Sequence, residues 1–456
     1  MNSPIIGSNR ECNQWQGFIF KSTIGEVLGV YFVMKKKDRP YIIKHRNHSI
    51  SHDDISPNAL KVLYRLSKAG YEAFLVGGGV RDMLLGLHPK DFDIVTNARP
   101  LEIQKLFRNS RLVGRRFRLI HVFFSNEIIE VSTFRANAEE YLKEVSLDKM
   151  KESEAVKLFM LANDNTYGTI EEDAWRRDFT VNALYYNITN FSVVDFADGM
   201  KDLRKGLIRM IGDPTQRYHE DPVRLLRAVR LAAKLNFKIH PDTEKPLLRL
   251  HNLLHHVPGA RLFTELLKIF FKGYAHRSYQ LLMRTNYMKA LFPEVITFIE
   301  KNQNIYYRNL IELALKATDE RYYKNQTLNP GFLLAIFLWP VVQELMEQHF
   351  KKHKRLFHSL YYGVNHTLYL QIQTLAIPRR LTTMIRSVWL LQYHLERRRS
   401  NRIYRISKQR FFRAAFDFLE LRERAGEPLT EIVCWWRIFR DGNTKQRDQL
   451  IDKLKG

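Results

Sequence analysis

The stretch that most constrains this chain runs over residues 72–95, EAFLVGGGVRDMLLGLHPKDFDIV. An apolar run closes at Val76, Gly77-Gly78-Gly79 breaks it, and residues 80–85 have helical spacing. The predicted order is strand, glycine turn, short helix, loop and second strand. In the last of these, Asp91-Phe92-Asp93-Ile94-Val95 alternates. Residues two apart on a strand face the same way, so Asp91 and Asp93 project together and Phe92 turns into a core. Like charges on one strand face repel. A divalent cation held beside a phosphate chain at a helix start would account for them. Ordinary loop-edge aspartates and a plain strand–helix turn remain alternative readings of the same residues. The turn is not a P-loop, because no Gly-Lys-Ser/Thr follows, and Asp82 stands where a dinucleotide fingerprint has its third glycine. Arg81, in the first helical turn, is the group that connects the turn to phosphate. Glu130, in a predicted neighbouring strand, is a candidate third carboxylate, with an exposed strand glutamate as the alternative.

The flanking sequence predicts an α+β head followed by an all-α region. Ser56-Pro57 supplies an N-cap and first-turn proline, Leu60, Leu63, Tyr64 and Leu66 keep helical spacing, and Gly70 ends that helix. Residues 100–108 read as a helix. Residues 119–124 and 128–133 read as a hairpin around Ser125-Asn126-Glu127. Residues 136–165 form a polar excursion, residues 170–178 a charged helix, and residues 182–188 and 191–196 a strand pair. Short strands are expected at 18–20 and 30–33 within a basic extension. From about Gly212 strand signals vanish and amphipathic helices follow over 222–235, 261–271, 308–316, 381–395 and 409–422. The expected division is an N-terminal extension (1–54), a head (55–211), a neck (212–275) and a body (276–456).

Charge narrows the partner. The chain carries 73 Lys+Arg against 48 Asp+Glu, a formal net charge of +25, which points to a polyanion. Two cysteines, Cys12 and Cys434, exclude a disulfide framework and a clustered cysteine metal site and fit a reducing, cytoplasmic setting. No apolar run reaches the ~20 residues that span a bilayer. The longest, over residues 331–342, is interrupted by Pro340, and no secretory signal is read at the N-terminus.

Two further stretches carry chemistry. In EEDAWRRD, the forked guanidinium groups of Arg176 and Arg177 suit nucleotide phosphates and Asp178 suits a ribose; a solvated helix is the plainer alternative. In EDPVRLLR, Asp221-Pro222 reads as N-cap and first-turn proline, which brings Asp221 near Arg224. An acceptor beside a guanidinium can read a base edge, or can simply form a local ion pair. The pair His251 and His255 lacks the glutamate of a zinc hydrolase and reads as helix surface. Residues 114–118, Gly-Arg-Arg-Phe-Arg, read as a basic turn or an RNA contact. Arg379, Arg380, Arg386, Arg397, Arg402, Arg405 and Arg410, interleaved with Trp389, Tyr393, Tyr404, Phe411 and Phe412, suit single-stranded nucleic acid, with most of the rings expected in the core.

The ordered set GGGVRD, DFD, RRD and EDPVRLLRAVR resembles the class II nucleotidyltransferases, a family that includes bacterial poly(A) polymerases and tRNA CCA-adding enzymes, and within it most resembles the poly(A) polymerases. The resemblance runs over residues 50–425 and includes IPRRLTTMIRSVWLLQ. It implies a polymerase-beta-like head with a small mixed sheet, then a helical neck and body. It implies template-independent transfer of AMP from ATP to RNA 3′ ends with Mg²⁺ or Mn²⁺, and a part in RNA turnover alongside the RNA-decay machinery. On the matching motifs, Asp91 and Asp93 are the metal-binding catalytic pair and Asp178 is the further acidic residue of the site. Gly77, Gly78 and Arg81 fall in the triphosphate-cradling motif, Arg176 and Arg177 in the nucleotide-binding motif, and Asp221 and Arg224 in the base-reading motif. A CCA-adding enzyme and a non-catalytic RNA-binding protein are the competing expectations.

Overall fold

The computed structural model describes residues 40–114, 118–136, 166–303 and 305–454. The expected strands at 18–20 and 30–33, the excursion beyond Ala136 and Arg115 to Phe117 lie outside the described residues. The chain divides into two compact units. One takes in Met1–Val76, Gly86–Trp175 and Tyr185–Ala197; the other takes in Gly77–Leu85, Arg176–Leu184 and Asp198–Gly456.

The first unit is built on an eight-stranded mixed sheet. Its strands are β1 (Tyr41–Ile43), β2 (Ala73–Val76), β3 (Asp93–Thr96), β4 (Ser110–Val113), β5 (Leu119–Phe123), β6 (Ile128–Thr133), β7 (Leu184–Asn187) and β8 (Ser192–Asp195). They lie in the order β1-β8-β7-β2-β3-β6-β5-β4. β3 runs parallel to β6, while β2 pairs antiparallel with both β3 and β7. The predicted hairpin is β5–β6, with Ile120 opposite Val131 and His121 opposite Glu130. Period-2 alternation decides its faces: Ile120, Val122, Ile129 and Val131 are buried, and Glu130 is exposed. Beneath the sheet Phe74, Val76, Val95, Phe134, Tyr185 and Phe196 form one apolar cluster.

The helix Pro57–Lys68 covers β2, β3 and β6. Ser56 Oγ accepts from the Asn58 and Ala59 N–H groups, as the sequence predicts for a cap. Ala59, Val62, Leu63 and Leu66 form its buried stripe, and the chain leaves it through Gly70 at φ +85°.

The second unit is helical apart from a two-residue parallel pair, β9 (Leu207–Ile208) with β10 (Lys238–Ile239). Lys238–Ile239 corrects the expectation that strands end near Gly212; two residues are too short to leave an alternating signal. The helix Pro330–His353 corrects the reading of Pro340 as an interruption, because the helix runs through it. Proline removes one backbone hydrogen bond from a helix. Leu334, Ile336, Phe337, Trp339, Val341 and Val342 are buried around it, and that packing holds the turn together. By length and composition this helix is long and apolar enough to cross a membrane, and 61% of its most apolar window is buried within the protein.

Many polar groups in this core are matched, although Trp339 Nε1 and Thr367 Oγ1 are buried without a hydrogen-bond partner. Trp389 Nε1 donates to the Ala335 carbonyl at 2.9 Å, and Trp436 Nε1 donates to Leu395 at 2.8 Å. Buried Arg422 meets Glu396 at 2.6 Å and Glu427 at 2.5 Å. Such a network is held by its mutual satisfaction, because a charge stranded in the core is costly.

Candidate functional site

The first unit places the aspartate pair at the N-terminal end of β3. Asp91 precedes the strand rather than lying on it, because β3 starts at Asp93. The expected alternation still holds: Asp91 and Asp93 are exposed, and Phe92 between them is buried. Asp93 is the register partner of Val76 on β2 and of Glu130 on β6. In-register residues on neighbouring strands share a face, so Glu130 lies beside Asp93. Glu130 is 49% exposed, and its Oε1 lies 3.5 Å from His121 Nε2. Exposed carboxylates of this kind are hard oxygen donors suited to Mg²⁺. Among the described residues, no group of three or more His, Cys, Asp or Glu side chains is gathered as a metal cage.

The second unit holds the remaining predicted residues in one polar network. Gly77 has φ +76° and ψ −136°, a backbone state that a side chain would strain, and it precedes the seven-residue helix Gly78–Leu84. Arg81 does not present its guanidinium to solvent. It is 3% exposed, its Nε and Nη2 donate to Asp82 Oδ1 at 2.9 and 2.6 Å, and its Nη1 donates to Asn182 Oδ1 at 2.5 Å. Asp82 Oδ2 in turn accepts from Lys234 Nζ at 2.7 Å. Asn182 Nδ2 donates to Asp178 Oδ1 at 3.3 Å, and Asp178 Oδ2 lies 2.5 Å from Arg227 Nη2. A continuous chain of partners therefore links the glycine turn, the RRD segment and the helix Val223–Leu235.

Asp178 is 9% exposed. Burial alone would raise its pKa, but Arg227, the Asn182 amide, the Phe179 N–H and Arg224 outweigh it and hold the carboxyl below its ordinary value. Arg227 and Asn182 are the residues that local reading missed. Arg227 had a signal, since it follows Arg224 by three residues on one helix face. Asn182 had none outside its place four residues after Asp178.

Arg176 and Arg177 are half-buried, and their carbonyl groups accept from Arg217 Nη2 at 2.6 and 2.8 Å. Arg217 thereby clamps the RRD backbone, and burial followed by the Arg224 charge lowers its pKa. The Arg224 N–H donates to the Asp221 carbonyl at 3.0 Å, but their side chains take other partners. Asp221 lies 3.0 Å from Arg261 Nη2 and accepts the Val223 N–H at 3.3 Å, whereas Arg224 Nη1 reaches Glu220 and the Arg217 carbonyl at 2.8 and 2.7 Å. The cap of the helix Val223–Leu235 is Pro222, and Asp221 closes the preceding helix Pro214–Glu220. Arginine outnumbers carboxylate around this corner, which suits a polyphosphate.

The basic C-terminal stretch is also resolved into parts. Trp389 and Phe412 are core, whereas Tyr404 is exposed and Tyr393 is half-buried under Arg397, 4.6 Å from its ring centre. Fewer of these rings lie inside than expected. Burial, then the charges of Arg402, Arg399 and Arg405, push the His394 pKa down. His251 and His255 lie in a 3₁₀ turn, His251–His256, rather than on an α-helix.

Three family models match. Residues 73–209 match the Poly A polymerase head domain, residues 236–299 a probable RNA and SrmB binding site of polymerase A, and residues 353–456 the polymerase A arginine-rich C-terminus. The chain is 46% identical to a poly(A) polymerase I of Escherichia coli over 417 residues, covering 91% of this chain and 88% of that one. It is 43% identical to that of Haemophilus influenzae, covering 90% of each. A CCA-adding enzyme of Lactobacillus gasseri is 35% identical over 54% of this chain and 57% of its own length. The Bacillus stearothermophilus CCA-adding enzyme in complex with CTP shares the fold at a TM-score of 0.55, with 23% identity over 85% of this chain and 83% of that one. With this likeness to the poly(A) polymerases I running through nearly the whole of both chains, the chain belongs to the poly(A) polymerase family of nucleotidyltransferases.

Proposed function

We propose that this nucleotidyltransferase adds AMP from ATP to RNA 3′ ends without a template. The observation that carries this reading over CCA addition is the reach of the likeness. Similarity to the poly(A) polymerases I continues through the arginine-rich C-terminus, while similarity to the CCA-adding enzyme covers about half of the chain. We divide the chain into an extension (1–54), a catalytic head (55–211), a neck that selects the base (212–275) and an RNA-binding body (276–456).

Asp91 and Asp93 offer the hard carboxylate oxygens that would hold Mg²⁺ or Mn²⁺, with Glu130 in register beside Asp93. Such an ion lowers the pKa of an attacking hydroxyl and stabilises a departing pyrophosphate when bound. Gly77 and Gly78 present backbone N–H groups to the triphosphate. Arg81 acts by positioning, since its hydrogen bonds to Asp82 and Asn182 fix the helix that follows the turn. Arg176 and Arg177 contact the nucleotide phosphates, and Asp178 completes the acidic set of the site. Asp221 and Arg224 read the adenine edge, Asp221 from the close of the helix Pro214–Glu220 and Arg224 from the first turn of the helix Val223–Leu235. The setting is the cytoplasm and the role RNA turnover, together with the decay machinery.

The deciding experiment supplies each NTP alone with a short RNA. Long tails from ATP alone are expected; limited addition requiring CTP before ATP would transfer the reading to the CCA-adding enzymes. RNA affinity is also expected to fall about 100-fold between 50 and 200 mM salt if roughly five phosphates are neutralised on a single strand. A flat salt dependence would remove the basic body from the RNA path.

A further inference from the structure

The helix Leu356–Thr374 carries a row of rings that core packing does not explain. Tyr362, His366 and Tyr369 follow one another at helical spacing on one face. The Tyr362 and His366 rings lie 5.5 Å apart at 9°, and the His366 and Tyr369 rings 6.1 Å apart at 32°. The end of the preceding helix extends the row: His349 stacks on Tyr362 at 4.5 Å and on His353 at 4.1 Å. The rings are not hidden, since Tyr362 is exposed and Tyr369 is 59% exposed. An open depression is lined by His358, Tyr361, Tyr362, Asn365, His366 and Tyr369. Exposed rings in a contiguous row offer flat faces on which another ring can stack.

Charge identifies what binds. No Asp or Glu stands between Glu347 and Glu396 in the sequence. Lys351, Lys352, Lys354 and Arg355 are exposed beside His353 at one end of the row. An aromatic row on a helix that carries no carboxylate of its own, next to a cationic corner, is complementary to a strand with flat bases and a phosphate backbone. The histidines are not arranged for metal. Stacked imidazoles direct their ring nitrogens in parallel planes rather than toward one point, and His349 Nδ1 already lies 2.9 Å from Ser359 Oγ.

We propose that this row is a stacking platform for successive bases of single-stranded RNA, entered from the basic corner at residues 351–355. The proposal rests on the reading of the chain as an RNA 3′-end polymerase and locates where the strand lies on the body. Stacking is tolerant of sequence because every base has a π-face, which suits an enzyme that accepts many RNA ends.

The test measures binding alone, without ATP or divalent metal, by fluorescence anisotropy. A labelled oligoadenylate of about 15 nucleotides is compared with an abasic ribose-phosphate strand of the same length and charge. The unaltered protein is expected to bind the adenylate at least about ten-fold more tightly than the abasic strand. The triple variant Tyr362→Leu, His366→Leu and Tyr369→Leu is expected to lose that difference while binding the abasic strand as before. Undiminished discrimination in the triple variant would overturn the platform, and is also the result expected if the row serves a protein partner instead. Failure of the unaltered protein to bind any RNA would overturn the polymerase reading as well. Ultraviolet cross-linking of the unaltered protein to oligouridylate, mapped by mass spectrometry, removes dependence on the variant's folding. Adducts on the helix Leu356–Thr374 support the platform, and adducts confined to other helices overturn it.

Discussion

Asp91→Ala and Asp93→Ala are each expected to lower the rate of AMP addition by about a thousand-fold or more, with RNA binding unchanged. A metal-held carboxylate contributes several kcal/mol of transition-state stabilisation, and roughly each 1.4 kcal/mol is a factor of ten. Asp91→Ala is expected to leave stability intact or raise it slightly. Asp91 and Asp93 are exposed, and Asp93 has Glu130 as its in-register neighbour. Removing one of several like charges on a sheet face relieves a repulsion of a few tenths of a kcal/mol, on the order of other cross-strand pairs. Single-turnover kinetics and thermal unfolding on the same samples separate the two effects. Unchanged tailing by either variant would refute the metal assignment, and a large loss of stability would show the carboxylates to be structural.

The second large effect concerns Arg227. Its guanidinium lies 2.5 Å from Asp178, which is 9% exposed, whereas the Arg227 side chain is 41% exposed. Arg227→Met leaves a buried carboxylate without its cation. Breaking a fully buried pair costs about 3–5 kcal/mol; solvent at the Arg227 end screens the pair, so about 2–3 kcal/mol is expected here. The pH dependence follows from the direction of the Asp178 shift. Its pKa is held below the ordinary carboxyl value of about 3.9, so the folded state gains stability above about pH 4 and loses it as pH falls through the lowered folded value. In Arg227→Met, burial dominates and Asp178 takes up its proton at higher pH. The difference between the two proteins should therefore be largest near neutrality and shrink toward acid. Urea unfolding at several pH values tests this; a pH-independent difference would mean that Arg227 acts through packing rather than charge. Because the same network fixes Asn182 and Arg81, nucleotide affinity should fall along with stability.

The sequence by itself determined what depends on near neighbours. The cap at Ser56, the hairpin around residues 125–127, the buried Phe92 between two exposed aspartates and the change from sheet to helix are all set by spacing, because capping and strand alternation act within a few residues. The ordered motifs were also enough to mark the family. Tertiary structure alone decided which distant groups meet. Glu130 reaches Asp93 only because β6 runs parallel to β3, and no local rule supplies that register. Arg81 reads from sequence as the group that connects the glycine turn to phosphate, and only the fold shows that Asn182, 101 residues later, accepts from its guanidinium. Asp221 and Arg224 stand three residues apart, yet each finds a better partner in Arg261 and Glu220. Pro340 stays helical because the side chains around it are buried. Where residues far apart in sequence meet, as with Arg81 and Asn182 or Asp221 and Arg261, the contact outweighs a local preference worth about 1 kcal/mol or less.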